Sequence, residues 1–170
     1  MRLLTVFLLS AAAAAALAPS WTRADVRVVD AGATSLRLAY EAPGAWAGPE
    51  EVMVGLPLDG DVVLELVEVV EGAALDLTDA RLEALAGAGE ADGPARIGEP
   101  GMMRDQRVAS LLFAPRRRGD RLQTYQRVVV DLHFTAGRGA GVRLGSRPQE
   151  EALYQGLINY RQARAWRYRR

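Results

Sequence analysis

Apolar residues along this chain recur at every second position in short runs. Breaks rich in glycine, proline and aspartate separate the runs, which is the pattern of strands with one buried face. Asp25 to Asp30 and Ser35 to Glu41 are two such runs, rich in Val and Leu and joined by Ala31-Gly32-Ala33-Thr34, a connection that predicts a hairpin. In the second run Leu36, Leu38 and Tyr40 alternate with Arg37 and Ala39, giving one buried face and one wet face. Val52 to Leu58 and Val62 to Glu71 predict the next strand pair, with Asp59-Gly60-Asp61 as the turn between them. The alternation in the last run is blurred. Leu64, Leu66 and Glu68 fall on one side and Val63, Glu65, Val67 and Val69 on the other, as in a strand covered on both faces.

The clearest pattern lies further on. A long hairpin is predicted from Arg107 to Ala114, through Pro115 to Arg121, and back along Leu122 to Phe134. Val128, Val130, Leu132 and Phe134 share one face, and Arg127, Val129, Asp131 and His133 share the other. Gly119-Asp120 marks the tip, where Arg116, Arg117, Arg118 and Arg121 crowd together. Pro43 to Pro49 reads as a loop with Trp46 folded onto the edge of the core. Thr78 to Ala86 reads as a short helix capped by Thr78 or Asp79, and Gly137 to Gly145 as a linker. Ser146 and Pro148 then open a predicted helix in which Leu153 and Leu157, and Tyr154 and Ile158, repeat at i, i+4 spacing. The fold expected from these elements is all-β, an antiparallel two-sheet β-sandwich with a short C-terminal helix or tail.

The start of the chain obeys another rule. Arg2, the apolar run Leu3 to Leu17 and the small residues after it form a secretory signal pattern. The run falls short of the roughly 20 apolar residues that cross a bilayer, and Pro19 interrupts it. Cleavage after Ala24 is favoured over cleavage after Ala18, which Pro19 follows directly. The layout expected is a signal peptide over 1–24, a sandwich over 25–136, a linker over 137–148 and a C-terminal helix with basic tail over 149–170. Such a protein is exported, to the periplasm, cell surface or exterior, and has no membrane span after signal removal. The mature part, about 146 residues, suffices for one core. Without a single cysteine, that core must hold by packing alone.

Charge is divided unevenly along the chain. Residues 25–100 hold 16 acidic and 4 basic side chains, whereas residues 101–170 hold 5 acidic and 15 basic, every one of them arginine. If the halves pair as strands of one domain the charges neutralise each other, and if they do not, two opposite patches face partners.

Catalytic chemistry finds little to work with. Nucleophilic catalysis needs an activated Ser, Thr or Cys beside a base, and the single histidine, His133, sits on a strand face beside Asp131. One histidine with scattered acids is too few ligands for zinc. Asp59-Gly60-Asp61 lacks the further spaced carboxylates of a calcium loop. Glu50-Glu51 and Glu150-Glu151 are adjacent rather than facing, and Gly137, Gly139 and Gly141 open no helix. No enzyme, cofactor or metal is expected. The tail from Tyr160 interleaves Trp166 and Tyr168 with five arginines, a mix able to stack on bases, but an exported chain seldom meets nucleic acid and none is expected as partner.

Two stretches carry a family resemblance. Arg96-Ile-Gly-Glu-Pro-Gly-Met-Met-Arg104-Asp-Gln-Arg107-Val-Ala-Ser-Leu-Leu-Phe-Ala-Pro115, with the strand running on to Phe134, resembles the end of the N-terminal prodomain of gingipain-type cysteine peptidases. The shared features are a glycine turn, an Arg-x-x-Arg-Val step, an apolar strand and a proline before a hairpin whose second strand ends in Phe. Glu150 to Trp166, with its Asn159-Tyr160 pair and its Ala163-x-x-Trp166 step, is similar to the segment that follows such prodomains. The resemblance implies a β-sandwich prodomain that covers a secreted cysteine peptidase, helps it fold and keeps it latent. One arginine among Arg116, Arg117, Arg118 and Arg121 would then enter an acidic specificity pocket as a substrate mimic. Arg167, Arg169 and Arg170 would be maturation cuts. The peptidase's own Cys and His have no counterpart here, so the expectation is a truncated or stand-alone prodomain. The alternative expectation is an exported structural or adhesion module of the cell envelope, with the arginine and aromatic tail as its adhesive element.

Overall fold

The computed structural model describes residues 25–42, 49–77, 93–135, 152 and 154–166. Among them nine strands and one short helix form: β1 (Asp25–Ala31), β2 (Ser35–Glu41), β3 (Glu50–Leu56), β4 (Val62–Asp76), β5 (Ala95–Ile97), β6 (Gly101–Met103), β7 (Gln106–Phe113), β8 (Arg116–Arg118), β9 (Arg121–Phe134) and α1 (Tyr160–Ala163). One sheet has five strands in the order β1-β2-β9-β4, with β8 also beside β9. The other has four, in the order β3-β7-β5, with β6 also beside β7. All strand pairings are antiparallel. This is the two-sheet sandwich with a short C-terminal helix that the patterning predicts.

The expected neighbours are in part wrong. β1 and β2 do form a hairpin, with Val28 opposite Leu38. β3 and β4 do not pair, because the Asp59-Gly60-Asp61 turn, with Gly60 at φ 94, carries the chain from one sheet to the other. Nor do β7 and β9, the two arms of the predicted long hairpin. After Phe113 the chain again changes sheets, and the true hairpin is the short one between β8 and β9. The two arms face each other across the core, so their apolar faces still meet. Among the described residues β4 is an open edge strand, whereas its pattern predicts coverage on both faces. Its blurred pattern comes from a bulge at Val67, which turns Glu68 onto the face of Glu65 and Val69 onto the face of Leu64 and Leu66.

The core follows from these faces. Leu36, Leu38, Val128, Val130 and Leu132 of the first sheet are fully buried against Val54, Leu111 and Phe113 of the second. Tyr40 stacks on Phe113 across the interface with ring centroids 5.1 Å apart. Each such side chain contributes about 1.5–3 kcal/mol by leaving water.

The outer face of the first sheet is an ion-pair ladder. Arg37 meets Asp131 at 2.6 Å, Arg27 and Arg127 share Glu41 at 2.9 and 2.8 Å, and Arg127 also reaches Glu68 at 3.3 Å. Acidic and basic halves of the sequence thus lie side by side in one sheet, and their charges cancel locally. The long side chains also cover Ala39 and Val129, buried on this outward face.

The C-terminal segment closes the sandwich beside β3. Leu157 bridges in parallel to Met53, and Ile158 N–H donates to Met53 O at 2.9 Å. Helical backbone is present at Ala152 and Tyr154, but the expected helix does not run on through Leu157, which lies in this bridge, and helix resumes at Tyr160. Tyr154 is buried with Val108, Leu157 and Ala163, and its hydroxyl donates to Asp105. Trp166 packs edge-on against Phe134 at 5.0 Å. The signal segment, Trp46, the predicted helix over 78–86, the linker over 137–145, Ser146, Pro148, Leu153 and Tyr168 lie outside the described residues.

Candidate partner-binding hairpin

β8 and the start of β9 form a tight hairpin. Arg116 stands opposite Gln123, Arg117 opposite Leu122 and Arg118 opposite Arg121. Two residues, Gly119 and Asp120, make the turn, and only Gly119 has positive φ, at 64. A first turn residue of this kind suits the right-handed twist of the flanking strands and favours glycine. Asp120 O accepts from Leu77 N–H at 2.9 Å, tying the tip to the end of β4. The root is fixed as well. Ala114 N–H donates to Pro94 O at 3.1 Å, and the buried Gln123 donates to Gly72 O at 3.1 Å.

All four predicted arginines are brought together here and all are exposed. Their surroundings differ. Arg118 pairs with Glu71 at 2.8 Å and Arg121 with Asp76 at 3.3 Å, both acids of β4. Arg117 Nε donates to Gly119 O at 3.1 Å, so it braces its own turn. Arg116 has no ion-pair partner among the described residues, although its charge acts on Tyr125. Burial pushes the Tyr125 phenol up, and Arg118 and Arg116 oppose that shift. The ion pairs here are half-exposed, and surface pairs of this kind contribute at most about 1 kcal/mol each. Arg118 and Arg121 are therefore lightly held, and Arg116 is the cation presented without a competitor.

The remaining candidates fall elsewhere. Ala24, Arg167, Arg169 and Arg170 lie outside the described residues. His133 Nε2 lies 3.2 Å from Glu65 Oε2 on the open outer face, while Asp131 is engaged by Arg37. Among the described residues no three His, Asp or Glu side chains gather into a metal-binding group. No helix among them is long and apolar enough to cross a membrane. Trp166 lies against Phe134 within the fold, not on a stacking platform.

No protein-family model and no curated protein matches the chain. Solved structures do. A chain of the complex of the pro- and mature domains of RgpB from Porphyromonas gingivalis superposes with a TM-score of 0.53 at 14% identity, over 80% of this chain and 97% of that one. The structure of zymogenic latency in gingipain K, from the same organism, matches with a TM-score of 0.47 at 11% identity, over 67% of this chain and 94% of that one. The chain contains no cysteine, so it holds no thiol nucleophile of its own. What it has, on the evidence of its two sheets and their match to the RgpB complex, is a gingipain-propeptide-like fold.

Proposed function

We propose that this chain is a non-enzymatic, prodomain-like module that assists the folding or latency of a secreted gingipain-type cysteine peptidase. The observation that carries the proposal is the fold shared with a chain of a complex between pro- and mature domains. The hairpin supplies the chemistry. A guanidinium presents five donors in a planar fork, which matches a carboxylate at the base of an arginine-specific pocket. Arg116 is the residue best placed to enter it, since Arg117, Arg118 and Arg121 each have a partner within the domain. In this reading Arg2 to Ala24 direct export to the periplasm, cell surface or exterior, and Arg167, Arg169 and Arg170 offer cuts for maturation.

The test mixes the purified protein with a gingipain-type peptidase and follows turnover of an arginine substrate. Slowed turnover is expected, and Arg116→Ala should weaken it about tenfold or more, as loss of a buried interface arginine does. Unchanged turnover at micromolar protein overturns the proposal.

A further inference from the structure

β4 is an edge strand of 15 residues, and it carries five of the nine large apolar side chains exposed among the described residues: Val63, Leu66, Val67, Val69 and Val70. Their placement is ordered. Leu66 stands opposite Val130 and Val69 opposite Val128, so both point toward the core, yet each is 41% exposed while Val130 and Val128 are at 0%. The four-stranded sheet does not reach far enough to cover them, and an apolar margin is left open along β4. On the outward face the same strand carries only acidic charge. Glu65 and Glu68 remain 66% and 48% exposed despite their contacts with His133 and Arg127.

A strand added to this edge meets both features. Its inward side chains would continue the apolar row of Leu66 and Val69, and its outward side chains would lie beside Glu65 and Glu68. We infer that the free edge of β4 accepts an extended segment of a partner chain in which apolar residues alternate with arginine or lysine. A second copy of β4 fits poorly, because it brings four more acids and no cation to the same edge. The site is distinct from the arginine hairpin and does not depend on the function proposed above.

The experiment uses the whole protein and a fluorescein-labelled heptapeptide alternating arginine and valine, with a glutamate-valine peptide as control. Saturable binding of the arginine peptide is expected, with the glutamate peptide at least about tenfold weaker. Leu66→Lys places a charge in the inward row, and Val63→Lys adds a cation to the exposed outward row, so both should abolish binding while leaving the circular dichroism spectrum unchanged. Should Leu66→Lys fail to fold, Val63→Lys carries the test alone. Arg116→Ala should bind the peptide normally. Equal binding of the two peptides, or binding indifferent to Val63→Lys, overturns the inference. So does a homodimer in light scattering that excludes the peptide. A fourth overturning result is hydrogen-exchange protection of β4 in the free protein equal to that of β9, since the edge is then already covered by the chain itself.

Discussion

Asn159 holds Gly55 by both of its backbone groups: Oδ1 accepts from Gly55 N–H at 2.8 Å, and Nδ2 donates to Gly55 O at 2.9 Å. The amide side chain thus does for β3 what a neighbouring strand would do, and it locks the C-terminal segment onto the sandwich. Gly55 is required for the approach, because a Cβ there would overlap the Ala163 methyl. Asn159→Ala leaves two buried backbone groups unpaired, so a loss of about 2–5 kcal/mol is expected in urea unfolding. Gly55→Ala should likewise lower the melting temperature and shift Trp166 emission to the red as its contact with Phe134 loosens. A melting temperature unchanged in both variants would show that the clasp is dispensable.

Acid should weaken the fold through Asp131. Hydrogen bonds from Arg37, with Nε at 2.7 Å and Nη2 at 2.6 Å, hold its carboxyl below the ordinary value. Depression of a carboxyl makes the folded state the weaker proton binder. The stabilisation is therefore complete above the ordinary aspartate value, about 4, and is lost as pH falls through the lower folded value. The stability gap between the native protein and Asp131→Asn should be constant near neutrality and shrink in acid. A gap that widened in acid would refute this linkage.

Alkali acts on the inner face of the same sheet. Burial, aided by the charge of Glu50, pushes the Tyr40 phenol up to about 12. A raised folded value keeps the phenol neutral while the unfolded chain ionises, so stability is intact below about pH 10 and falls as pH rises toward 12. Ultraviolet titration should show a phenol ionising near pH 12 that is missing in Tyr40→Phe. If the late step survives that substitution, another tyrosine is responsible.

The hairpin tip isolates backbone strain from packing. A Cβ at Gly119 would meet nothing within 4 Å, yet the residue sits at φ 64. Gly119→Ala should cost about 1–2 kcal/mol in thermal unfolding without disturbing any contact. A neutral result would mean that the turn relaxes to another form.

The alternating faces of β2 and β9 were legible because each has one dry side and one wet side. Leu36, Leu38 and Val128 to Phe134 fall where the period of two puts them. The partners of each strand were not legible, since Asp59-Gly60-Asp61 and Ala114-Pro115 read equally well as hairpin turns and as crossings between sheets. The bulge at Val67 was hidden for a similar reason, because an extra residue leaves only a break in alternation. Gly55 does leave a signal, since a lone glycine inside a strand marks a close backbone approach. Among the four arginines of the hairpin, nothing in the sequence distinguishes Arg116. The positions of Glu71 and Asp76 on β4, which engage Arg118 and Arg121, and the bond from Arg117 to Gly119 O set it apart.

The distance along the chain between Arg37 and Asp131, 94 residues, has a meaning for biogenesis. β2 finds its central neighbour β9 only after most of the polypeptide has been synthesised, and β3 waits still longer for Asn159, 104 positions after Gly55. Such remote pairing makes assembly slow, of the order of milliseconds to seconds. Until then Glu68 and Glu71 of β4 lack Arg127 and Arg118, their counter-charges, and the interior stays open, so a nascent chain depends on its last third to become a domain at all.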